Sequence, residues 1–282
     1  LFAVTQRPGF DLNENENNNS KNFNLSYPLM TRYTQGKPVR KLFLQDWNLT
    51  GNKLNSLKGG GITKLILERC KLDKDSLKII GKITSLKRLS IVNSEVSTEI
   101  LRPLKGSSLT SICLNECTFS DGSMKELAVP ECVIELFLQD CKISRQAIKQ
   151  LPNFPLLKNL VIAGSTVERV DVKVLKDILA LEELHVKEIA SDLLTTLKKS
   201  KIKRLVVLTN DNITDNDLLP AAKIKSLEEL RITWCKNISP DFKEKFSQLN
   251  KKCKLTIKTN QANLVEPYEI LFQDKETSEN GK

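Results

Sequence analysis

One eleven-residue segment that occurs twice constrains this chain more than any other feature. VRKLFLQDWNL, residues 39–49, returns almost unchanged as VIELFLQDCKI, residues 133–143. The same skeleton, L-x-x-L-x-L-x-x-C/N-x-L with aliphatic substitutes, recurs about every 24 residues along most of the chain. A fixed period of this length is typical of solenoids, in which one supersecondary unit is stacked many times.

The repeats can be counted by the apolar anchor at their fourth position. Successive anchors are 21–25 residues apart, and a second aliphatic residue stands two positions after each one. This alternation predicts a short strand with both side chains on one face. The ten anchors are Leu42, Leu65, Leu89, Ile112, Leu136, Leu160, Leu184, Leu205, Leu230 and Leu255.

A second apolar set follows the predicted strands, at spacings of three and four residues that predict helices. Examples are Leu77 with Ile80, Leu101 with Leu104, Val174 with Ile178, and Phe242 with Phe246. Candidate helix caps are Asp75, Ser144, Asp215 and Ser239. Each unit is therefore predicted as strand, turn, helix and return loop. Because a helix is wider than a strand, stacked units should curve with the strands on the inside.

The skeleton resembles that of leucine-rich repeat proteins over residues 39–258. The resemblance implies an α/β fold, a curved horseshoe solenoid of about ten repeats with parallel strands on the concave face and helices on the convex face. LVVLTNDNITDNDL from Leu205 and LRITWCKNISPDF from Leu230 resemble the cysteine-containing subtype of F-box substrate receptors. Earlier units are one residue shorter at this point. The resemblance implies a substrate-recognition arm of a ubiquitin ligase as one context.

The composition changes on either side of the repeat domain, residues 39–258. Residues 1–38 include the Asn-rich run NENENNNSKN, and we expect much of the chain before Phe23 to be disordered. The apolar residues of 23–30 are predicted to cap the first repeat. Residues 259–282 include LVEPYEILFQ, predicted as a C-terminal cap with a mobile tail, or as a docking peptide for another chain.

The repeats carry most of the positive charge. The chain has a net charge of +10. The head holds four basic and three acidic side chains and the tail two and five, which leaves +12 for the repeats. A basic body favours an acidic partner protein. The lysines are spread over every repeat without an aromatic-interleaved stripe, and this argues against nucleic-acid binding.

The ninth position of the repeat has a composition of its own. We predict that its small polar side chains donate hydrogen bonds to carbonyl groups of the turn, which would otherwise be buried and unpaired. A redox or metal role for stacked thiols is the alternative. The position holds Trp47, Cys70, Ser94, Cys117, Cys141, Ser165, Ile189, Asn210 and Cys235. Ile189 cannot donate, and together with the 21-residue spacing it predicts an irregular unit.

Motifs for catalysis, cofactors and membranes do not occur. The chain lacks C-x-x-C spacing and has a single histidine, so the sequence predicts no metal site and no cofactor. Gly59, Gly60 and Gly61 precede a predicted strand instead of opening a helix, which is not a phosphate loop. His185 has no Ser or Cys partner placed by a pattern, and we predict a chain that is not an enzyme. No apolar run is long enough for a membrane span.

The unclustered cysteines favour a cytoplasmic, reducing compartment. Secretion stays open, because a chain that begins at Leu1 is compatible with a preceding signal segment. The sequence is also compatible with a non-catalytic part of a larger enzyme.

Positions three, five and seven of each predicted strand face away from the core, on the concave sheet. A row of apolar side chains there, rimmed by charge, predicts a surface that binds another protein. The alternative is that an open sheet face simply tolerates β-forming residues. The candidate partner-binding residues are Phe43, Ile66, Arg88, Phe137, Val161, His185, Val206, Leu208, Arg231 and Trp234. The predicted function is a protein-protein interaction module, with a ubiquitin-ligase arm, an effector or scaffold, and an extracellular recognition domain as alternatives.

Overall fold

A parallel β-sheet is the largest element of the fold. The computed structural model describes residues 2–6, 39–96, 100–119, 124, 131–163, 172–187, 191–208 and 212–258. The sheet consists of eleven described strands in chain order: β1 (Phe2–Gln6), β2 (Lys41–Gln45), β3 (Lys64–Glu68), β4 (Arg88–Val92), β6 (Ser111–Asn115), β8 (Glu135–Gln139), β9 (Asn159–Ile162), β10 (Glu183–Val186), β11 (Arg204–Leu208), β12 (Glu229–Thr233) and β13 (Lys254–Lys258). A small second sheet pairs β5 (Glu95–Val96) with β7 (Thr118–Phe119). The predicted α/β solenoid with parallel strands is confirmed.

The apolar anchors of neighbouring units lie side by side across the large sheet. Leu42 pairs with Leu65, and the same register continues along the chain. The 21-residue unit does not interrupt this ladder, since Leu184 still pairs with Leu205. The irregularity that the sequence predicts around Ile189 lies outside the described residues. This unit is therefore shorter than the others outside its strand, and the strand register is unchanged.

Alternation along each strand separates the core from the open face. Leu44 and Leu138 are fully buried in one hydrophobic cluster that runs through the described repeats. Phe43 and Phe137, the residues just before them, lie outside this cluster and are half-buried. The predicted assignment of inward and outward positions is confirmed.

The turn after each strand has a conformation that the repeat pattern did not predict. The residue before the ninth position has a φ angle between 46° and 61° in six described units. Its N–H group donates to a carbonyl at the end of the next strand, as from Asp46 to Glu68 (3.0 Å) and from Trp234 to Lys258 (2.9 Å). The six residues are Asp46, Arg69, Asn93, Glu116, Asp140 and Trp234. A left-handed turn thus connects each of these units to its neighbour.

The return leg of the units combines short α-helices with 3₁₀ helices. The described α-helices are α1 (Lys74–Gly81), α2 (Arg145–Ile148), α3 (Ser191–Thr196), α4 (Asp215–Leu218) and α5 (Phe242–Leu249). The described 3₁₀ helices are Asn55–Leu57, Arg102–Leu104, Leu151–Asn153, Val172–Asp177, Leu197–Lys199 and Leu219–Lys223.

The helices predicted at Leu101 with Leu104 and at Val174 with Ile178 are therefore 3₁₀ helices. A 3₁₀ helix rises about 2.0 Å per residue, against about 1.5 Å in an α-helix. The same number of residues therefore covers a greater length of the repeat as a 3₁₀ helix than as an α-helix. Proline in the first turn of Arg102–Leu104 and of Leu219–Lys223 is compatible with this geometry.

Helix α1 is capped by Asp73, so the predicted cap at Asp75 is wrong. The Asp73 carboxylate accepts a hydrogen bond from the Ser76 N–H group at 2.8 Å, and the Ser76 hydroxyl reaches back to the Asp73 N–H group. The same carboxylate accepts from the Gly51 N–H group of the preceding unit at 2.8 Å. One side chain therefore starts a helix and joins two units.

The other predicted caps have different outcomes. Ser144 caps α2 as predicted, since its hydroxyl accepts from a backbone N–H group at 3.2 Å. Asp215 is the first residue of α4, and Thr214 precedes it as the cap. The Asp215 carboxylate instead accepts from the Ser239 N–H group of the next unit at 2.9 Å. Ser239 is not a helix cap, because α5 begins only at Phe242.

Strand β1 lies in the N-terminal segment, much of which the sequence predicts to be disordered; residues 7–38 lie outside the described residues. Phe2–Gln6 pairs in parallel with Lys41–Gln45 along its whole length. The reason is that the first repeat strand has a free edge, and any short alternating segment that reaches it can pair there. The predicted cap over residues 23–30 and the predicted tail, 259–282, lie outside the described residues.

We predict that Leu138→Ala destabilises the protein by about 2–5 kcal/mol, because it leaves a cavity in a fully buried position. Urea unfolding followed by circular dichroism measures this change. Phe137→Ala is the matched control and should cost far less, since that ring is only half-buried. A larger loss for the Phe137 variant than for the Leu138 variant would contradict the assignment of the two faces.

Candidate functional site

Nine of the ten candidate residues lie on strands of the open face, and Trp234 lies in the turn after β12; seven of the ten are partly exposed. These seven are Phe43, Arg88, Phe137, His185, Leu208, Arg231 and Trp234. The remaining three, Ile66, Val161 and Val206, are only 1%, 1% and 3% exposed, so the expectation that they are exposed is wrong. None of these three belongs to the hydrophobic core cluster. They are covered on the open side of the sheet.

The strand register explains why two of these side chains, Val161 and Val206, are covered. Val161 lies between Phe137 and His185 in the registered row of fifth positions. Val206 lies in the same row between His185 and Arg231. Neighbouring strands are about 4.8 Å apart, so a short aliphatic side chain between two long ones lies within their reach. The covered residues support the taller side chains of this face.

Two aromatic rings lie in the N-terminal half of this row. Phe43 is on β2 and Phe137 on β8, and both are half-buried. Ile66 pairs with Phe43, and Cys113 pairs with Phe137. The rings therefore stand above shorter neighbours on the open face. Large, rigid apolar groups in this position are the kind that contribute most to binding energy at protein interfaces.

A chain of charged side chains crosses β10, β11 and β12 in the C-terminal half. Glu183 contacts the His185 Nε2 atom at 2.7 Å and also pairs with Arg204. Arg204 pairs in turn with Glu229 at 3.2 Å, and Glu229 pairs with Arg231 at 3.0 Å. These charges compensate one another within the protein. The network therefore fixes side-chain positions on this half of the face and leaves little unmatched charge.

Strand β6 lies near the middle of the sheet, and all five of its residues are buried. Its open-face side chains are Ser111, Cys113 and Asn115, which are 3%, 1% and 1% exposed. The repeat pattern assigns these residues to the open face but does not identify them as contact residues. In a sequence, a short polar side chain does not indicate whether it contacts a partner or only fills the space between larger neighbours.

The ninth-position side chains bond to the turn carbonyls as predicted. The Cys70 thiol donates to the carbonyls of Leu44 (3.5 Å) and Glu68 (3.4 Å). The Cys117 thiol makes the equivalent bonds to Ile91 (3.3 Å) and Asn115 (3.5 Å). Each thiol thus reaches one carbonyl of its own strand and one of the preceding strand. Ser165, Ile189 and Asn210 lie outside the described residues.

The Cys70 and Cys117 thiols are kept protonated, whereas a hydrogen bond with Cys117 lowers the pKa of Cys141. Burial raises the pKa of the ninth-position Cys70 to about 11, and it also raises that of Cys113, on the open face of β6, to about 12. The pKa of Cys117 is raised well above its ordinary value by a hydrogen bond with the neighbouring Cys141 thiol and by burial. A protonated thiol can donate a hydrogen bond but is a poor nucleophile and metal ligand. The geometry therefore favours the structural role over the redox or metal alternative.

In the part of the chain that the structure describes, no cluster of His, Cys, Asp or Glu residues could hold a metal ion. No helix of the described residues is long and apolar enough to cross a membrane. The absence of a cofactor and of catalysis stay predictions from the sequence.

A likeness to solved structures identifies the fold. An internalin, InlF, from Listeria monocytogenes is similar with a TM-score of 0.52 and 17% sequence identity, over 83% of this chain and 70% of that one. The chain has the leucine-rich repeat fold. The F-box-receptor subtype of this fold stays a prediction.

Two other leucine-rich repeat structures are also similar. Listeria monocytogenes InlP has a TM-score of 0.47 and 13% identity, over 71% of this chain and 60% of that one. The PEPR1–AtPEP1 structure has a TM-score of 0.37 and 14% identity, over 77% of this chain and 33% of that one. No protein-family model matches the sequence, and no curated protein matches it either.

We predict that Cys117→Ala destabilises the leucine-rich repeat domain by roughly 1–2 kcal/mol, because the Ile91 and Asn115 carbonyls lose the thiol proton that they share. Cys117→Ser should recover most of this loss. Ser94 occupies the ninth position in the unit before that of Cys117. Its hydroxyl donates to the Val92 carbonyl at 2.8 Å, so a serine can act as the donor at this position. Urea denaturation of the two variants measures the difference. Equal stabilities of the Ala and Ser variants would exclude a donor role.

Proposed function

We propose that this chain is a protein-interaction module that binds a partner protein on the open, concave face of its sheet. The contact surface is formed by the seven partly exposed candidate residues, with Ile66, Val161 and Val206 supporting them from below. The proposed role is one of binding and involves no catalytic step.

The position of Phe43 and Phe137 is the observation that carries this proposal. Both rings lie outside the hydrophobic core cluster, and their neighbours Leu44 and Leu138 already fill the core positions. An aromatic ring that the core does not need, and that stands above shorter neighbours, loses apolar exposure when a partner covers it. Such rings are frequent anchors at the centre of protein interfaces.

The charged network on β10–β12 gives the proposed interface a second, polar part. His185 and Arg231 are held by Glu183 and Glu229, so their orientation is set before a partner arrives. Side chains that are already ordered lose less entropy when a partner binds. Trp234 stands at the end of β12 and supports contacts at the rim.

The overall charge favours an acidic partner. The chain has a net charge of +10, which attracts an acidic protein at long range and raises its association rate. The context we propose is intracellular, either as a substrate-recognition arm of a ubiquitin ligase or as an effector or scaffold. All seven cysteines are free, and this supports a reducing compartment.

We predict that the double variant Phe43→Ala/Phe137→Ala loses partner capture while its thermal stability stays nearly unchanged, because the two rings serve the interface and not the core. The measurement is affinity purification from the native cell, with wild type and variant side by side and bound proteins quantified by mass spectrometry. Thermal unfolding of both proteins accompanies it.

Leu179→Ala/Leu249→Ala is the matched control for that experiment. These leucines are 77% and 59% exposed and lie outside the strands. The control removes exposed apolar surface without touching the open face, and we expect it to capture the partner like wild type. Capture by the double Phe variant at the wild-type level, or a large fall in its melting temperature, would refute the proposal.

We also predict that the protein from its native source contains seven free thiols. Titration with a thiol reagent under denaturing conditions, without prior reduction, measures the number. Seven thiols agree with a reducing compartment, whereas three disulfides and one thiol would favour an extracellular recognition domain instead.

A further inference from the structure

All four large apolar side chains that are exposed among the described residues lie on one edge of the solenoid. Each of them comes between one and five residues before a strand of the large sheet. Because the strands are parallel and in register, the segments that enter them line up along a single side of the molecule. We call this side the strand-entry edge and define it as the six residues before each strand from β3 to β13, β5 and β7 excepted. The four side chains are Ile134, Leu156, Leu179 and Leu249, which are 36%, 50%, 77% and 59% exposed.

Hydrogen bonds between neighbouring units hold the strand-entry edge together. The Lys158 N–H group donates to the Ile134 carbonyl at 2.9 Å, and the Glu182 N–H group donates to the Lys158 carbonyl at 2.9 Å. The ladder continues from Lys203 to Glu182 and from Glu228 to Lys203, both at 2.8 Å. The segments before β8 to β12 therefore form one continuous surface, on which the backbone fixes the positions of the exposed residues.

The strand-entry edge is strongly basic before β11, β12 and β13. The three segments there, 198–203, 223–228 and 248–253, contain eight lysines and a single acidic residue, Glu228, whereas the six other segments of the edge contain five lysines altogether. All eight are exposed, and among the described residues only Lys203 has an ion-pair partner, Glu182 at 2.9 Å. The eight residues are Lys198, Lys199, Lys201, Lys203, Lys223, Lys225, Lys251 and Lys252. The edge thus combines unmatched positive charge with exposed aliphatic side chains.

The residue types of the strand-entry edge favour a lipid surface over a protein or a nucleic acid. Its three basic segments contain no arginine and no aromatic residue. Protein interfaces are enriched in exactly those residues and depleted of lysine, and single-stranded nucleic acids are bound largely by stacking on aromatic rings. Anionic lipid headgroups attract clustered lysines without a fixed geometry, and aliphatic side chains are buried at the boundary between headgroups and acyl chains.

We propose that the strand-entry edge binds the surface of a membrane that contains anionic lipids. The lysines before β11, β12 and β13 pair with the headgroups, while Leu156, Leu179 and Leu249 enter the boundary with the acyl chains. This peripheral contact goes beyond the proposed function and does not rest on it. The edge shares no residue with the partner-binding residues of the open face, so each surface can be tested separately.

Co-sedimentation with lipid vesicles tests the proposal. Vesicles of phosphatidylcholine and phosphatidylserine are compared with vesicles of phosphatidylcholine alone, and we expect the protein to bind only the former. The attraction between lysines and headgroups is screened by salt, so binding should fall steeply between an ionic strength of about 0.15 M and one of about 1 M.

The variant Lys201→Gln/Lys225→Gln/Lys251→Gln removes one lysine from each basic segment. A lysine near an anionic surface strengthens binding about fivefold, so we expect this variant to bind the phosphatidylserine vesicles roughly tenfold more weakly or worse. Its fold should be unchanged, because the three side chains are exposed and have no ion pair among the described residues. Thermal unfolding followed by circular dichroism checks this.

The matched control is Lys71→Gln/Lys74→Gln/Lys142→Gln, which removes the same charge outside the strand-entry edge. Lys71 and Lys142 follow strands β3 and β8, Lys74 begins helix α1, and all three are exposed. We expect this control to bind the vesicles like wild type. Equal losses in the two lysine variants would overturn the proposal, since they would show that net charge alone attracts the protein.

The variant Leu179→Ala/Leu249→Ala tests the apolar part of the contact. We expect it to bind the phosphatidylserine vesicles several-fold more weakly than wild type, because less apolar surface leaves water. Vesicle binding at the wild-type level would overturn the proposal, since the leucines would then not enter the membrane. The Phe43→Ala/Phe137→Ala variant should bind vesicles like wild type, and a loss there would contradict the separation of the two surfaces.

Two other polyanions separate the membrane from the alternative partners. The protein is titrated with a single-stranded RNA oligonucleotide and with polyglutamate, which stands in for an acidic protein. If either binds through the lysines of the strand-entry edge while the phosphatidylserine vesicles do not, the edge serves that class of partner and the proposal is wrong. Vesicle binding that depends on both the lysines and the leucines supports it.

Discussion

The parallel register of short strands is the constraint on which the rest of the structure depends. Each strand of the repeats places two aliphatic side chains inward, and Leu42 against Leu65 begins a ladder of such pairs that continues through the sheet. A single unit cannot bury these side chains by itself, so every unit is stabilised mainly by its two neighbours. The same register fixes which side chains share a row on the open face. Core and candidate site therefore follow from one geometric arrangement.

The backbone at the end of each strand is held by hydrogen bonds between units. A residue with positive φ turns the chain, and its N–H group donates to the next strand, as Asp46 does to Glu68. The ninth-position thiol or hydroxyl donates to buried carbonyls near the strand ends, as Cys117 does to Ile91. An aspartate such as Asp73 caps the helix that follows and also accepts a hydrogen bond from the preceding unit. These hydrogen bonds join neighbouring units at the ends of their strands.

The open face differs along its length. Aromatic rings at Phe43 and Phe137 rise over small or covered neighbours in the first half, while acidic and basic side chains compensate one another on β10–β12. Strand β6, with its buried Ser111, Cys113 and Asn115, lies between the strands of the two rings. A binding partner would thus meet apolar anchors and a preordered polar surface. This order along the sheet is set by the sequence of repeats.

The spacing of aliphatic residues by itself determined the solenoid, the strand positions and the division between Leu138, inside, and Phe137, outside, because burial of alternate side chains is a local property of a strand. The sequence did not reveal that Val161 and Val206 are covered, since their burial depends on the length of side chains about 24 residues away. It also did not reveal β1, which needs only a free edge, or the left-handed residues, whose types range from aspartate to tryptophan. The burial of the Asn115 amide likewise depends on the neighbouring units. Only the stacked strands decide whether an amide finds a partner, because its possible partners belong to other repeats.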